Sequence, residues 1–175
     1  MLERRRISVV DGKIKGHAQP YHFAREQSLT EAKKYIARCA AASLRLAQTA
    51  LGEVVEQLSR EHRVTGAAVL LASGRPLPEL ERILASHPLI HTAEGEFFRQ
   101  AFSEACEALS IPVARIRERE LKERAQTVFK KSAASLPEEL AVAAKHLGPP
   151  WSQDQKSAAL AAAVVLGGGG TLAQF

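Results

Sequence analysis

The run "GAAVLLAS", Gly66–Ser73, decides how the chain is read. Between Gly66 and Ser73-Gly74 every side chain is apolar, with no polar residue in alternation. A strand with one wet face alternates, so this run predicts a strand covered on both faces, as parallel sheets require. Parallel strands cannot be joined by a tight turn and need a crossover, most often helical. The sequence supplies helical patterns on both sides.

Downstream, "PLPELERILAS" (Pro76–Ser86) predicts a helix with Pro78 in its first turn. Pro88 is expected to end that helix, "PLIHT" (Pro88–Thr92) to form a short strand, and a further helix to run from about Ala93 to Ser110. "IPVARI" (Ile111–Ile116) predicts another strand and "RERELKERAQTVF" (Arg117–Phe129) another helix. Two more helices follow Pro137, separated by Gly148-Pro149-Pro150. Upstream, Ser28 and Glu31 make an S-x-x-E capping box that opens a long helix. Its expected apolar stripe is Ala32, Ile36, Ala40, Ser43, Ala47, Ala50, Val54 and Leu58, ending near His62. Before it, "RISVVDGKIKG" (Arg6–Gly16) places Asp11-Gly12 between two β-prone runs, the signal for a two-residue hairpin. "YHFA" (Tyr21–Ala24) is expected to add a third short strand.

The predicted fold is α/β: a mixed, mostly parallel sheet with an N-terminal antiparallel hairpin and helices on both faces. One α/β domain is expected over residues 1–166, with a flexible Gly-rich tail at 167–175. With 175 residues, 46% of them hydrophobic and only 5% aromatic, the core must be built largely from Ala, Leu and Val. Cys39 and Cys106 fall in predicted helix interiors and read as small buried hydrophobes. "MLERRRISVV" is unlike a signal peptide and "SAALAAAVVL" is too short to cross a bilayer, so a cytoplasmic protein with no membrane partner is expected.

The net charge of +5 permits a nucleic-acid partner without demanding one. In "ARIRERELKER" glutamates alternate with arginines, which predicts a solvated helix face carrying its own ion pairs.

Candidate site residues come from strand ends and helix starts, where α/β sheets bind ligands. On a helical wheel Phe98, Ala101, Phe102, Ala105 and Leu109 form one stripe; Glu94 shares that sector and Glu96 falls opposite. His91, at the end of the expected strand, should converge with Glu94, giving a carboxylate-oriented imidazole for general-base or metal chemistry. Thr92 is the expected N-cap. His87 and His91 are four residues apart, but Pro88 is expected to keep them off one helix face, which argues against a zinc pair. Ser73-Gly74-Arg75 could hold a phosphate or carboxylate. Ser152 and Gln155 form a second capping box, with Lys156 beside it; Asp154 should face whatever the Ala-rich last helix packs against.

Asp11 after a strand, Glu53 on the first long helix, a buried strand ending at Ser73, and Asp154 opening a late Ala-rich helix occur in a telling order. In this the chain resembles, over most of its length, the RNase H-like superfamily that includes Holliday-junction resolvases. The resemblance implies a metal site formed by Asp11, Glu53 and Asp154 that holds Mg2+ or Mn2+ for phosphodiester hydrolysis. Ser73 stands where that family has an acid, so a degenerate or repurposed site is expected. Three functions follow as expectations. They are an RNase H-like domain that binds or hydrolyses nucleic acid, a small-molecule site at His91, Glu94 and the Ser73–Arg75 turn, and a non-catalytic module that forms homo-oligomers.

Overall fold

A computed structural model describes residues 3–71 and 76–168. These fall into two compact units, one built from Ile7–His62 with the described part of Gly74–Leu109, the other from the N-terminal residues through Arg6, Arg63–Ser73 and the chain from Ser110 onward.

The first unit is helical: α1 (Pro20–Ala24), α2 (Leu29–Leu58), α3 (Leu80–Leu84) and α4 (His87–Ala108). α2 starts where expected. The Ser28 hydroxyl accepts the Glu31 N–H, and the Glu31 carboxylate accepts the Ser28 N–H in return. Its buried residues are Ala32, Tyr35, Cys39, Ala42, Ser43 and Ala47. The expected stripe is therefore right at Ala32, Ser43 and Ala47 but set one residue off along the first turns, where Ala40 is exposed. Tyr35 lies inward because its hydroxyl reaches the Lys15 carbonyl at 2.8 Å and its ring packs on Phe23.

No N-terminal hairpin forms. A type I′ turn needs positive φ at both central residues, and among described residues before α2 only Gly16 has it, at 79°. The segment instead winds through consecutive turns, Ile14 N–H to Asp11 O, His17 N–H to Ile14 O and Gln19 N–H to Gly16 O. Asp11 accepts the Lys13 N–H through Oδ1 at 2.9 Å, an Asx turn in place of a strand crossing. Val9 is buried against Ala47 and Ala105 without pairing in a sheet. A Cβ on Gly16 would run into the Phe23 ring, and the positive φ disfavours any other residue, so glycine fits this bend. "YHFA" is helix rather than strand, with Pro20 starting α1.

The "PLIHT" strand is also absent: α4 begins at His87, and Ser86 sits before it in an extended conformation. Proline stops a helix from inside, yet in the first turn its missing N–H has no partner to lose. Ile90, fully buried with Ile83 and Ala93, holds this turn against α3. Thr92 is consequently inside the helix, its hydroxyl donating to the Pro88 carbonyl, and caps nothing.

The second unit contains β1 (Ala67–Leu71) and β2 (Val113–Arg117), which pair in parallel from Ala67 opposite Val113 to Leu71 opposite Arg117. With α5 (Leu121–Phe129), α6 (Leu136–Ala143) and α7 (Gln153–Gly167), this is the mixed α/β part of the chain. α5 and α7 cover one and the same sheet face, that of Ala68, Leu70, Ala114 and Ile116, through Leu121, Ala125, Ala161, Val164 and Val165. The expected helices on both faces are not found among this unit's described residues, and β1 is half-buried instead of fully covered. α7 runs through Gly167, the first residue of the expected tail, and residues 169–175 of that tail lie outside the described residues. The interleaved charges do pair, but across the junction of β2 and α5 and not along one helix: Glu120 bonds Arg117 at 3.0 Å and Arg124 at 3.2 Å. Those two guanidinium groups hold the Glu120 carboxyl below its ordinary range. Arg4 clasps the turn after α6, donating to the carbonyls of Leu147, Gly148, Pro149 and Pro150.

Cys39 and Cys106 are free and buried, and burial pushes both thiols above their usual range. The thiolate is the reactive form. Neither is expected to react with Ellman's reagent at pH 8 in the native protein, while both react in guanidinium. Rapid native release of even one equivalent would contradict this packing. Among the described residues no helix is long and apolar enough to cross a membrane.

Candidate metal centre

Starting α4 at His87 turns the His87–His91 spacing into a one-turn step on a single helix face. The expectation that Pro88 separates them is corrected by the same first-turn argument. Their Nε2 atoms are 3.0 Å apart, so one ring donates and the other accepts. His22, from α1, stacks edge-on to both, with ring centroids at 5.1 Å from His87 and 4.8 Å from His91. One nitrogen from each of the three rings falls within 4.8 Å of the other two. His87 and His91 are exposed and His22 half-buried, so the cluster opens to solvent.

Glu94 is the buried member, 9% exposed. The wheel placed it correctly in the apolar sector, but its partner is His22 and not His91. Glu94 Oε1 accepts from His22 Nδ1–H at 2.9 Å and from the His22 backbone N–H at 3.2 Å. The tautomer follows from these contacts. A carboxylate can only accept, so Nδ1 carries the proton and Nε2 keeps its lone pair free. A carboxylate behind a histidine is the usual outer support of a metal-bound imidazole. The Glu94 charge also adds to burial in raising the phenol of neighbouring Tyr21.

A fourth histidine, unnoticed in the sequence, is the most buried of them. His17 is 1% exposed. Its Nδ1 accepts the Asp11 N–H at 2.9 Å and its Nε2 lies 2.9 Å from Ser43 Oγ, which donates to the Val9 carbonyl at 2.8 Å. The direction is fixed along the chain of bonds: Nε2–H donates to a serine whose proton already points elsewhere. That is the reverse of a histidine activating a serine nucleophile, and the network pins residues 9–17 to α2.

The other expected site residues are distributed over both units. Asp11 and Glu53 belong to the helical unit and Asp154 to the other. Glu53, Asp154 and Lys156 are exposed. Asp154 thus does not face inward; it begins α7, where Gln155 accepts the Ser152 N–H. Ser73 and Arg75 lie outside the described residues. His22 was missed because its segment was read as a strand and its carboxylate lies 72 residues away. The legible signal was H-P-x-x-H, two imidazoles one turn apart at a helix start.

Comparison with known proteins gives no match among family models, curated proteins or solved structures.

Proposed function

We propose that the helical unit is a transition-metal-binding module in which His22, His87 and His91 hold one divalent ion and Glu94 supports His22. The observation that carries this is the convergence of three imidazoles with a buried carboxylate already locked onto one of them. Three nitrogen donors and no thiolate suit Zn2+, Cu2+, Ni2+ or Co2+ rather than Mg2+ or Mn2+. Zinc–nitrogen bonds of about 2.0–2.1 Å put tetrahedral ligands about 3.3 Å apart. The His87 and His91 nitrogens are already near that spacing, and rotation of exposed rings closes the remainder. One of these two rings must move its proton to Nδ1 to free both lone pairs.

Three protein ligands leave a coordination position for water, facing solvent. Such an ion polarises its bound water and supports hydrolysis or Lewis-acid chemistry. A metal-dependent hydrolase is therefore the enzymatic form of this reading.

Isothermal titration with ZnCl2 at pH 7.5 is expected to show one site per chain. Because imidazole must be unprotonated to bind, affinity falls as pH is lowered. Binding should raise the melting temperature, by a free energy of about 2.7 kcal/mol when free zinc is about 100 times Kd. No heat of binding and no thermal shift with zinc, copper, nickel or cobalt would remove the proposal.

A further inference from the structure

Charge in the helical unit is segregated along the chain. Residues 11–45 carry seven Lys or Arg against three Asp or Glu, whereas residues 76–109 carry two against six. Within the basic stretch two of the positive groups lie over one pair of packed rings, tilted at 40° to each other. Phe23 and Tyr35 have centroids 4.8 Å apart; Lys15 Nζ lies 6.0 Å from the first ring and the Arg38 guanidinium 5.6 Å from the second. The Tyr35–Lys15 hydrogen bond ties the 11–17 turns to α2 at this point. Lys34 stands one helical turn from Arg38, and Lys13 two residues from Lys15. All four cations are exposed. Among the described residues none of them forms an ion pair, while arginines elsewhere in the chain, such as Arg60, Arg99 and Arg117, do.

We propose that Lys13, Lys15, Lys34 and Arg38 form a contact surface for the phosphodiester backbone of nucleic acid. Two of its cations are steadied on aromatic rings, which limits the side-chain freedom lost on binding while leaving their N–H donors available. Tyr35 is buried and Phe23 is half-buried with Lys15 over its face, so the surface offers cations rather than a stacking platform, and recognition is of phosphate without sequence preference. A membrane surface fits less well. The nearby large apolar side chain that is exposed is Leu29 alone among the described residues, and one leucine is no inserting face. This surface does not depend on the metal reading.

The test is fluorescence anisotropy with a labelled mixed-sequence DNA duplex. Four phosphate contacts give a slope of about −3.6 in log K against log salt, hence about 100-fold weaker binding at about 200 mM than at about 50 mM salt. The quadruple variant K13Q/K15Q/K34Q/R38Q should flatten that slope and lose most of the low-salt affinity, with an unchanged helical circular dichroism spectrum and melting temperature as the check on folding. The control K122Q/K130Q/K131Q/K145Q, on the other unit, should bind like the parent. Absence of salt-sensitive binding at about 50 mM, or equal binding by parent and first variant, overturns the proposal. So does tighter binding to phosphatidylserine vesicles than to the duplex.

Discussion

Replacing His91 with alanine is expected to weaken zinc binding by about 100-fold or more while leaving the metal-free protein folded. His91 is exposed and its ring meets the exposed His87 and the half-buried His22, so truncation should change stability by no more than about 0.5 kcal/mol. Affinity, by contrast, depends on all three imidazoles, since His91→Ala leaves only His22 on α1 and His87 on α4 to hold the ion. Glu94 acts through His22. Glu94→Ala removes the acceptor that fixes the His22 proton on Nδ1, and the loss expected for such outer support is about 10- to 100-fold. Glu94→Gln keeps an acceptor without the charge and should fall between parent and Glu94→Ala. That ordering is what separates an orienting carboxylate from a mere packing residue. Equal zinc affinity in His91→Ala and the parent would mean the three rings do not form a site.

The second large effect concerns stability. His17→Leu should cost about 3 kcal/mol, because it leaves the buried Asp11 N–H and the Ser43 oxygen without their partner. For a chain of this size that is a drop of roughly 6–12 °C in melting temperature. Ser43→Ala should cost less, and the double variant less than the sum, since both substitutions break the same chain of bonds. Urea denaturation followed by helical circular dichroism measures all three. A His17→Leu protein that melts with the parent would show that the 9–17 segment is held by other means.

What the sequence revealed and what it hid divide along physical lines. The α2 start was legible because a capping box is satisfied within four residues. β1, β2 and their parallel pairing were legible because an unbroken apolar run and its helical neighbours restrict the alternatives. Glu94 was found on the wheel since periodicity alone places it. Two of the misread places were punctuation. Asp11-Gly12 signals a hairpin only where two strands flank it, and here the segment winds through turns whose Asp11 N–H donates to His17. Pro88 signals a stop only inside a helix, and here it stands in the first turn. Each depended on a partner far along the chain or on one residue of register, which local pattern does not encode. The His22–Glu94 contact belongs with them: neither partner's surroundings name the other.

The most direct measurement is X-ray absorption at the zinc edge of the protein loaded with one equivalent of zinc. The account predicts a first shell of nitrogen and oxygen donors at about 2.0 Å, with the outer-shell scattering of three imidazoles and no sulfur, and one imidazole fewer in His22→Ala. A shell of carboxylate and water oxygens without imidazole scattering, or a spectrum unchanged by His22→Ala, would contradict it.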